Sequence, residues 1–407
     1  MKSTVLRNIS LGLLSVFFVF SAVYWFSGWQ WVENANDWES LTHTIWNSLI
    51  DGVVKKTWDV AETITGIKTF SVSPIVPSPT ASWEVASKGY VDTITWWGGA
   101  TKNYVINGNF DIWQRGTSFT QTNGNYTADR WRWWTSGATA TFSRQSFSVG
   151  QTSVPFEPTY YMRINSTSAD DNTWLLHYIE DVRTLAWQTV TLSFYAKADS
   201  SRTFRSEFQQ DFWDGWSSFV VAGTINHSLT TSRQKFTHTL TIPSISWKTL
   251  GPNSFLNLVL VNPNNETFTI DVAQVQVERG SKANNFQYRN PWEELNMAQR
   301  YYEKSYDTET NPGTATENGA EMILNARNPG NPHKYTSFKV TKRTTPTLTI
   351  YSSQTGASGK IRFVDWPSDT NAVISRVGRN GATIYTASST NLGHFAQYHY
   401  TADAELY

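Results

Sequence analysis

Apolar and polar side chains alternate from Thr189 to Ala198, with Val190, Leu192, Phe194 and Ala196 on one face and threonine and serine on the other. A period of two marks a strand with one buried face. Residues 236–242 repeat the pattern through Phe236, Leu240 and Ile242, and residues 254–261 and 268–277 add two more strand-like runs. Strands of this length and spacing predict a jelly-roll-like antiparallel β-sandwich over residues 100–288. The period changes at residues 291–306, where Leu295, Ala298 and Tyr302 suit a short amphipathic helix. Glu293 and Glu294 there would sit near the positive helix N-terminus. That connecting segment spans 289–306. Alternation then resumes at 338–340, 347–351, 360–364, 372–377 and 396–406, which predicts a smaller C-terminal β domain over 307–407. The fold class is therefore mainly β.

The first hundred residues follow other rules. Lys2 and Arg7 precede an uncharged, apolar run over residues 11–26. This predicts a signal peptide or a membrane anchor over 1–27. In the short segment 28–60, Leu41, Ile45, Trp46, Leu49 and Val53 recur at helical spacing behind Ser40, a suitable N-cap. Residues 61–99 carry Pro74, Pro77 and Pro79 in a Ser/Thr-rich run. Proline holds such a segment extended, without internal hydrogen bonds. A lone chain of this kind buries no core, so stable order there requires partner chains. Residues 96–100 form a flexible joint.

Composition narrows the function. Lys+Arg and Asp+Glu both number 33, so the balanced charge argues against a nucleic-acid partner. No cysteine is present, which excludes disulfides, thiolate metal sites and thiol chemistry. His43, His177, His227, His238, His333, His394 and His399 form no HExxH pattern, and neither a GxSxG elbow nor a phosphate loop occurs. The adjacent carboxylates Asp170-Asp171 and Glu293-Glu294 fall in a loop and at a helix start, not across a cleft as glycoside hydrolysis demands. The expectation is a non-enzymatic protein.

Twenty tryptophans in 407 residues is about one in twenty, and many stand where a turn calls for glycine. Trp38 follows Asp37, Trp213 and Trp216 share a polar loop at 211–218, Trp247 separates two strand-like runs, and Trp96-Trp97 precede Gly98-Gly99. Translation of UGA as tryptophan, in a gene whose source reads it as glycine, would give this pattern. The candidates are Trp38, Trp58, Trp83, Trp96, Trp97, Trp187, Trp213, Trp216, Trp247 and Trp292. Trp25, Trp29, Trp31, Trp133, Trp134, Trp174 and Trp366 fit either reading. The alternative is a tryptophan-rich sugar binder whose indoles stack on ligand.

Four segments carry a family resemblance. They are NYVINGNFDIWQRGTSFTQTNGNYTADRW at 103–131, TITGIKTFSVSPIVPSPTASWEVASKGYVD at 63–92, IEDVRTLAWQTVTLSFYAKA at 179–198 and PWEELNMAQRYYEKSY at 291–306. Together they resemble phage tail fibres and their receptor-binding domains, including carbohydrate-binding-like β-sandwiches, in the expected order over roughly residues 60–407. Similar sequences read LAGQTVTLSF where this one has Trp187 and YGEEL where it has Trp292, whereas Trp46, Trp113 and Trp131 match as tryptophan. Where they often read VTMR, this chain has Val340-Thr341-Lys342-Arg343. The closing residues 400–406, YTADAEL, also match.

The resemblance implies a trimeric fibre shaft at 61–99 and an extracellular adhesin that binds cell-surface glycans. A phage virion tail fibre, a polysaccharide depolymerase and a structural fibre without ligand are the alternatives. The export signal favours a secreted or cell-surface protein over a virion tail. Membrane contact is expected only through an uncleaved N-terminal segment. Two residue sets are candidate sites. Trp113, Arg115, Asp129, Arg130 and Trp131 combine aromatic faces with charged groups, as a carbohydrate site requires. The same residues could instead brace the sandwich through a buried Asp–Arg pair. Asn107, Asp111 and Asp271 are similar to the opening of carbohydrate-binding sandwiches that hold a structural Ca²⁺, and offer the oxygen ligands calcium prefers. No other cofactor is expected.

Overall fold

Eleven strands build two facing antiparallel sheets. One sheet runs in the order β1 (Ser118–Thr120), β3 (Ala140–Ser146), β4 (Tyr160–Ser166), β11 (Phe268–Arg279), β6 (Thr189–Ala198) and β9 (Gln234–Thr241). The other runs β2 (Trp131–Thr135), β5 (Thr173–Glu180), β10 (Phe255–Val261), β7 (Arg202–Asp211) and β8 (Val220–Leu229). The computed structural model describes residues 102–406 apart from 121–123, 136, 138, 170–172, 324–332, 365–367 and 388–394. The expected signal or anchor, helical base and shaft lie outside the described residues, as do Asp170, Asp171, His394 and Trp366.

Alternation decides which side chains fill the space between the sheets. Val190, Leu192, Phe194 and Ala196 of β6 all point inward and are buried. They meet Trp131, Trp133, Phe204, Phe208, Leu256 and Leu258 from the opposite sheet. Such burial contributes about 1.5–3 kcal/mol per large side chain. The aromatic payload is high: Trp133 packs on Phe142 at 4.7 Å and Phe194 on Phe204 at 5.7 Å between centroids.

The segment at 103–113 is stitched onto β11. Tyr104 N–H donates to Val277 O at 2.9 Å, and Val275 N–H to Gly108 O at 2.8 Å. A Cβ on Gly108 would lie 2.1 Å from Val275 O, so only glycine tolerates this approach. Asn107 adopts φ 59°, and its side-chain amide closes the loop by bonding Ile112 N–H and Ile112 O.

Helix α1 (Pro291–Gln299) opens with proline at its start and Glu293 and Glu294 in its first turn. It is shorter than the helical periodicity predicts. Tyr302 belongs to the strand β12 (Tyr302–Lys304), which pairs with β19 (Ala396–Asp403). Strand β19 is the spine of a third sheet. It pairs with β12 and β13 (Glu321–Ile323) along one edge, and with β15 (Thr347–Ser352) and β16 (Lys360–Phe363) along the other. Beyond β16 follow β17 (Ser368–Gly378), β18 (Gly381–Thr386) and β14 (His333–Ser337). The strand expected at 338–340 is displaced to β14, and Phe338 instead bonds Asn380 O through its N–H. The described residues thus form a jelly-roll-like sandwich followed by a smaller C-terminal β domain.

Candidate functional site

The outer face of the five-stranded sheet carries the side chains that alternation turns away from the core. In β2, Trp131 and Trp133 point inward while Trp134 points out, 42% exposed. Strand register aligns these outward residues into rows. Trp134 lies opposite Trp174, Trp174 opposite Val261, and Val261 opposite Arg205. The next row runs from Leu176 through Val259 to Glu207. In the third, Asn257 stands between Tyr178 and Gln209.

Together these residues line a groove of about 320 Å³. Two adjacent indoles form one wall, and a line of guanidinium, carboxylate and amide groups forms the other. Gln209 Nε2 donates to Glu207 Oε1, and Asn257 Nδ2 donates to Gln209 Oε1 at 3.4 Å. Arg205 lies 3.5 Å from Glu207. Asn257, 7% exposed, keeps one buried acceptor, Oδ1, without a partner. An unsatisfied buried acceptor is costly, so a hydrogen-bond donor placed at this atom would be favourable. The arrangement suits a flat ligand with an apolar face and a hydroxylated edge.

One end of this sheet face is closed by the C-terminal segment. Leu406 packs with Tyr126, Tyr178 and Phe255, and the Tyr126 hydroxyl donates to Leu406 O.

The structure brings Trp113, Arg115, Asp129, Arg130 and Trp131 together, but beneath the C-terminal domain rather than on a surface. Both indoles are buried and spend their N–H on the backbone, Trp113 on Phe110 O at 2.6 Å and Trp131 on Asn107 O at 2.9 Å. Arg130 and Glu405 form an ion pair with both side chains fully buried, and the guanidinium stacks 3.5 Å from the Tyr301 ring centroid. Arg115 reaches Asp403 and Glu405, each at 3.3 Å, and Asp129 at 3.7 Å, and stacks on Tyr302. Burial opposes the charge on Arg115, yet Asp403, Glu405 and Asp129 outweigh it and hold its pKa above the ordinary arginine range. Burial raises the Glu405 carboxyl, against the pull of Arg130 and Arg115. Arg115 and Arg130 therefore tie the sandwich to the C-terminal domain while Trp113 and Trp131 pack inside the sandwich, and a sugar does not reach these buried residues in this arrangement.

Asn107, Asp111 and Asp271 are held by separate partners. The Asn107 amide is spent on Ile112 and on Asp129 O. Asp111 accepts from Asn109 at 2.9 Å, and its pKa is pushed up to about 6 by burial, with Glu294 adding to the rise. Asp271 faces Arg163, Lys197 and Arg233. Among the described residues, no group of three or more His, Cys, Asp or Glu side chains is placed to hold a metal ion.

Several other chemical candidates are placed among the described residues. Glu294 pairs with Arg289 at 3.0 Å, while its neighbour Glu293 is exposed. His227 and His238 flank Ser206 Oγ at 2.8 and 2.9 Å inside the sandwich. His399 stacks on Tyr306 at 3.7 Å. Lys342, at the position where similar sequences carry methionine, is buried against Glu303.

The described tryptophans sort into three groups. Trp113, Trp131 and Trp133 are buried core residues. Trp134 and Trp174 lie on strands beside the groove. Trp187 and Trp247 adopt φ 63° and 66°, and stand 74% and 101% exposed. A left-handed backbone with nothing packed on the ring is glycine's natural position. Trp213, Trp216 and Trp292 are also exposed.

No protein-family model and no curated protein matches this chain. Several solved structures show partial likeness. One described as "CBM4 structure and function" is 18% identical, with 43% of this chain and 99% of that chain covered and a TM-score of 0.28. The N-terminal cellulose-binding domain of Cellulomonas fimi β-1,4-glucanase C is 12% identical, covering 35% and 90%, with a TM-score of 0.25. The enzymatically active domain of bacteriophage CBA120 tailspike protein 4 is 14% identical, covering 44% of this chain but 21% of that chain, with a TM-score of 0.30. Likeness at this level carries no conclusion about function.

Sequence reasoning passed over Arg205, Glu207, Gln209 and Asn257. A signal was present in β7, where Arg205, Glu207 and Gln209 alternate with the inward Phe204, Ser206, Phe208 and Gln210.

Proposed function

We propose that this protein binds glycans in the groove on the outer face of the five-stranded sheet. The observation that carries the reading is the row geometry: two side-by-side indoles facing a polar line that includes the unpartnered Asn257 Oδ1. Sugar rings offer an apolar C–H face to an indole and hydroxyls to amides and carboxylates. Trp134 and Trp174 sit in ordinary strand positions, so the groove does not depend on the tryptophans at glycine-like turns.

Within this reading the protein is a secreted or cell-surface adhesin of tail-fibre type, with a phage virion tail fibre as the alternative setting. Among the described residues the groove is lined by a single carboxylate, Glu207. Hydrolysis of a glycosidic bond uses two, so we take the site as binding without cleavage. Trimerisation through residues 61–99 would multiply weak single-site affinity by avidity. The test is a glycan-array screen of the full chain, with a reducing-end assay on each bound polysaccharide. Binding without release of reducing ends supports an adhesin. Release of reducing ends restores the depolymerase reading, and a trimer that binds no glycan leaves a structural fibre.

A further inference from the structure

The opposite, six-stranded sheet carries a cluster that the groove does not use. At its centre is Asp271 on β11, with Arg163 of β4 directly across on one side and Lys197 of β6 directly across on the other. These side chains project away from the core, which takes Met162, Ile164, Ala196, Ala198, Ile270 and Val272. Arg233, in the turn between β8 and β9, reaches over the same carboxylate.

The charges do not balance. Arg163 makes a bidentate pair with Asp271 at 2.7 and 3.0 Å, which occupies both carboxylate oxygens. Lys197 and Arg233 are left to share Oδ2 at 3.7 and 3.5 Å. Among the described residues, three cations around one carboxylate leave a surplus of two positive charges.

Arg233 is also the least suited of the three to remain unpaired. Its side chain is only 4% exposed, held between the rings of Phe147 and Tyr161 at 4.9 and 4.7 Å. Its Nη1 is buried and has no hydrogen-bond partner among the described residues. A buried guanidinium with an unsatisfied nitrogen is strongly disfavoured unless a further acceptor completes it. Lys197 and Arg163, more than a third exposed, border the same place from the solvent side.

We propose that this cluster is an anion-binding site for an oxyanion, a carboxylate, sulfate or phosphate, carried by an acidic saccharide. The anion would accept from Arg233 Nη1 and Lys197 Nζ and offset the surplus charge. Paired charged hydrogen bonds of this kind are the strong ones. The Tyr161 ring and the Asn165 and Thr269 side chains, bonded to each other at 3.0 Å, lie on the same sheet face for the rest of a saccharide. The site is separate from the groove, and the saccharide as carrier of the anion rests on the glycan-binding reading.

The test is calorimetric titration of the full chain with three probes: an oligogalacturonate, the same oligomer as its methyl ester, and inorganic phosphate. The site predicts that the acid binds at least tenfold more tightly than the ester. It also predicts that Lys197→Glu, which places an acid at a half-exposed position without disturbing the core, weakens the acid at least tenfold. Arg233→Met should do the same. Equal binding of acid and ester, or acid binding unchanged in Lys197→Glu, would overturn the proposal. Phosphate bound as tightly as the oligomer would overturn the saccharide as the source of the anion.

Discussion

Arg130 is a charged residue buried from solvent, at φ 70°. Its charge is tolerated because Glu405, the Tyr178 carbonyl at 2.6 Å and the Tyr301 ring surround it. Removal of one partner strands the other. Glu405→Ala is expected to cost about 3–5 kcal/mol, read as a shift in urea midpoint. Arg130→Met with Glu405→Leu should recover much of that loss, because no buried charge is left alone. Trp187 and Trp247 pose the opposite question, since their side chains touch little and their backbones are left-handed. Glycine at either position should stabilise the fold by about 1–2 kcal/mol. Peptide masses of the protein from its natural source should read glycine at 187 and 247 if its gene is recoded; tryptophan masses at both would dismiss recoding there.

Among elements, β7, β8 and β9 meet at a small buried hydrogen-bonded cluster. Ser206 Oγ has one proton to give, so it donates to one imidazole and accepts from the other. Burial, with His238 adding to it, lowers the His227 pKa to about 4 from an ordinary 6.5. A histidine with a depressed folded pKa binds its proton more readily when unfolded. Its contribution is therefore present above pH about 6.5 and is lost as pH falls towards 4. Urea midpoints measured between these pH values should fall with acid, and His227→Gln should flatten the slope. Element identity was largely legible in sequence. Strand β6 lies where alternation places it, and β15 and β16 agree within one residue. The helix at 291 ends early because pairing of Tyr302, Glu303 and Lys304 with β19, almost a hundred residues away, overrides local periodicity. The groove was not legible for a related reason. Trp134, Trp174 and Asn257 are far apart in sequence, and only the strand order β2-β5-β10-β7 makes them neighbours.

At the scale of the molecule, residues 101–407 form one compact unit. The sandwich and the C-terminal domain share the ion pairs of Arg115 and Arg130 with Asp403 and Glu405, and Leu406 covers part of the sandwich's outer face. An interface that buries charge this completely should couple the domains. Calorimetry of residues 101–407 is expected to give one cooperative transition, and two separated transitions would show that the domains unfold independently. The candidate site residues at 103–131 that the resemblance singles out are largely buried within the fold. Arg115 and Arg130 hold the two domains, Trp113 and Trp131 pack in the sandwich core, and the groove lies on the neighbouring strands. The most direct test of glycan binding is titration of the full chain with an array-selected neutral oligosaccharide, beside Trp134→Ala and Asn257→Ala. Each variant should weaken binding at least tenfold, a loss of about 1.4 kcal/mol, with the thermal midpoint unchanged for Trp134→Ala. Unaltered affinity in both variants would contradict the groove as the binding site.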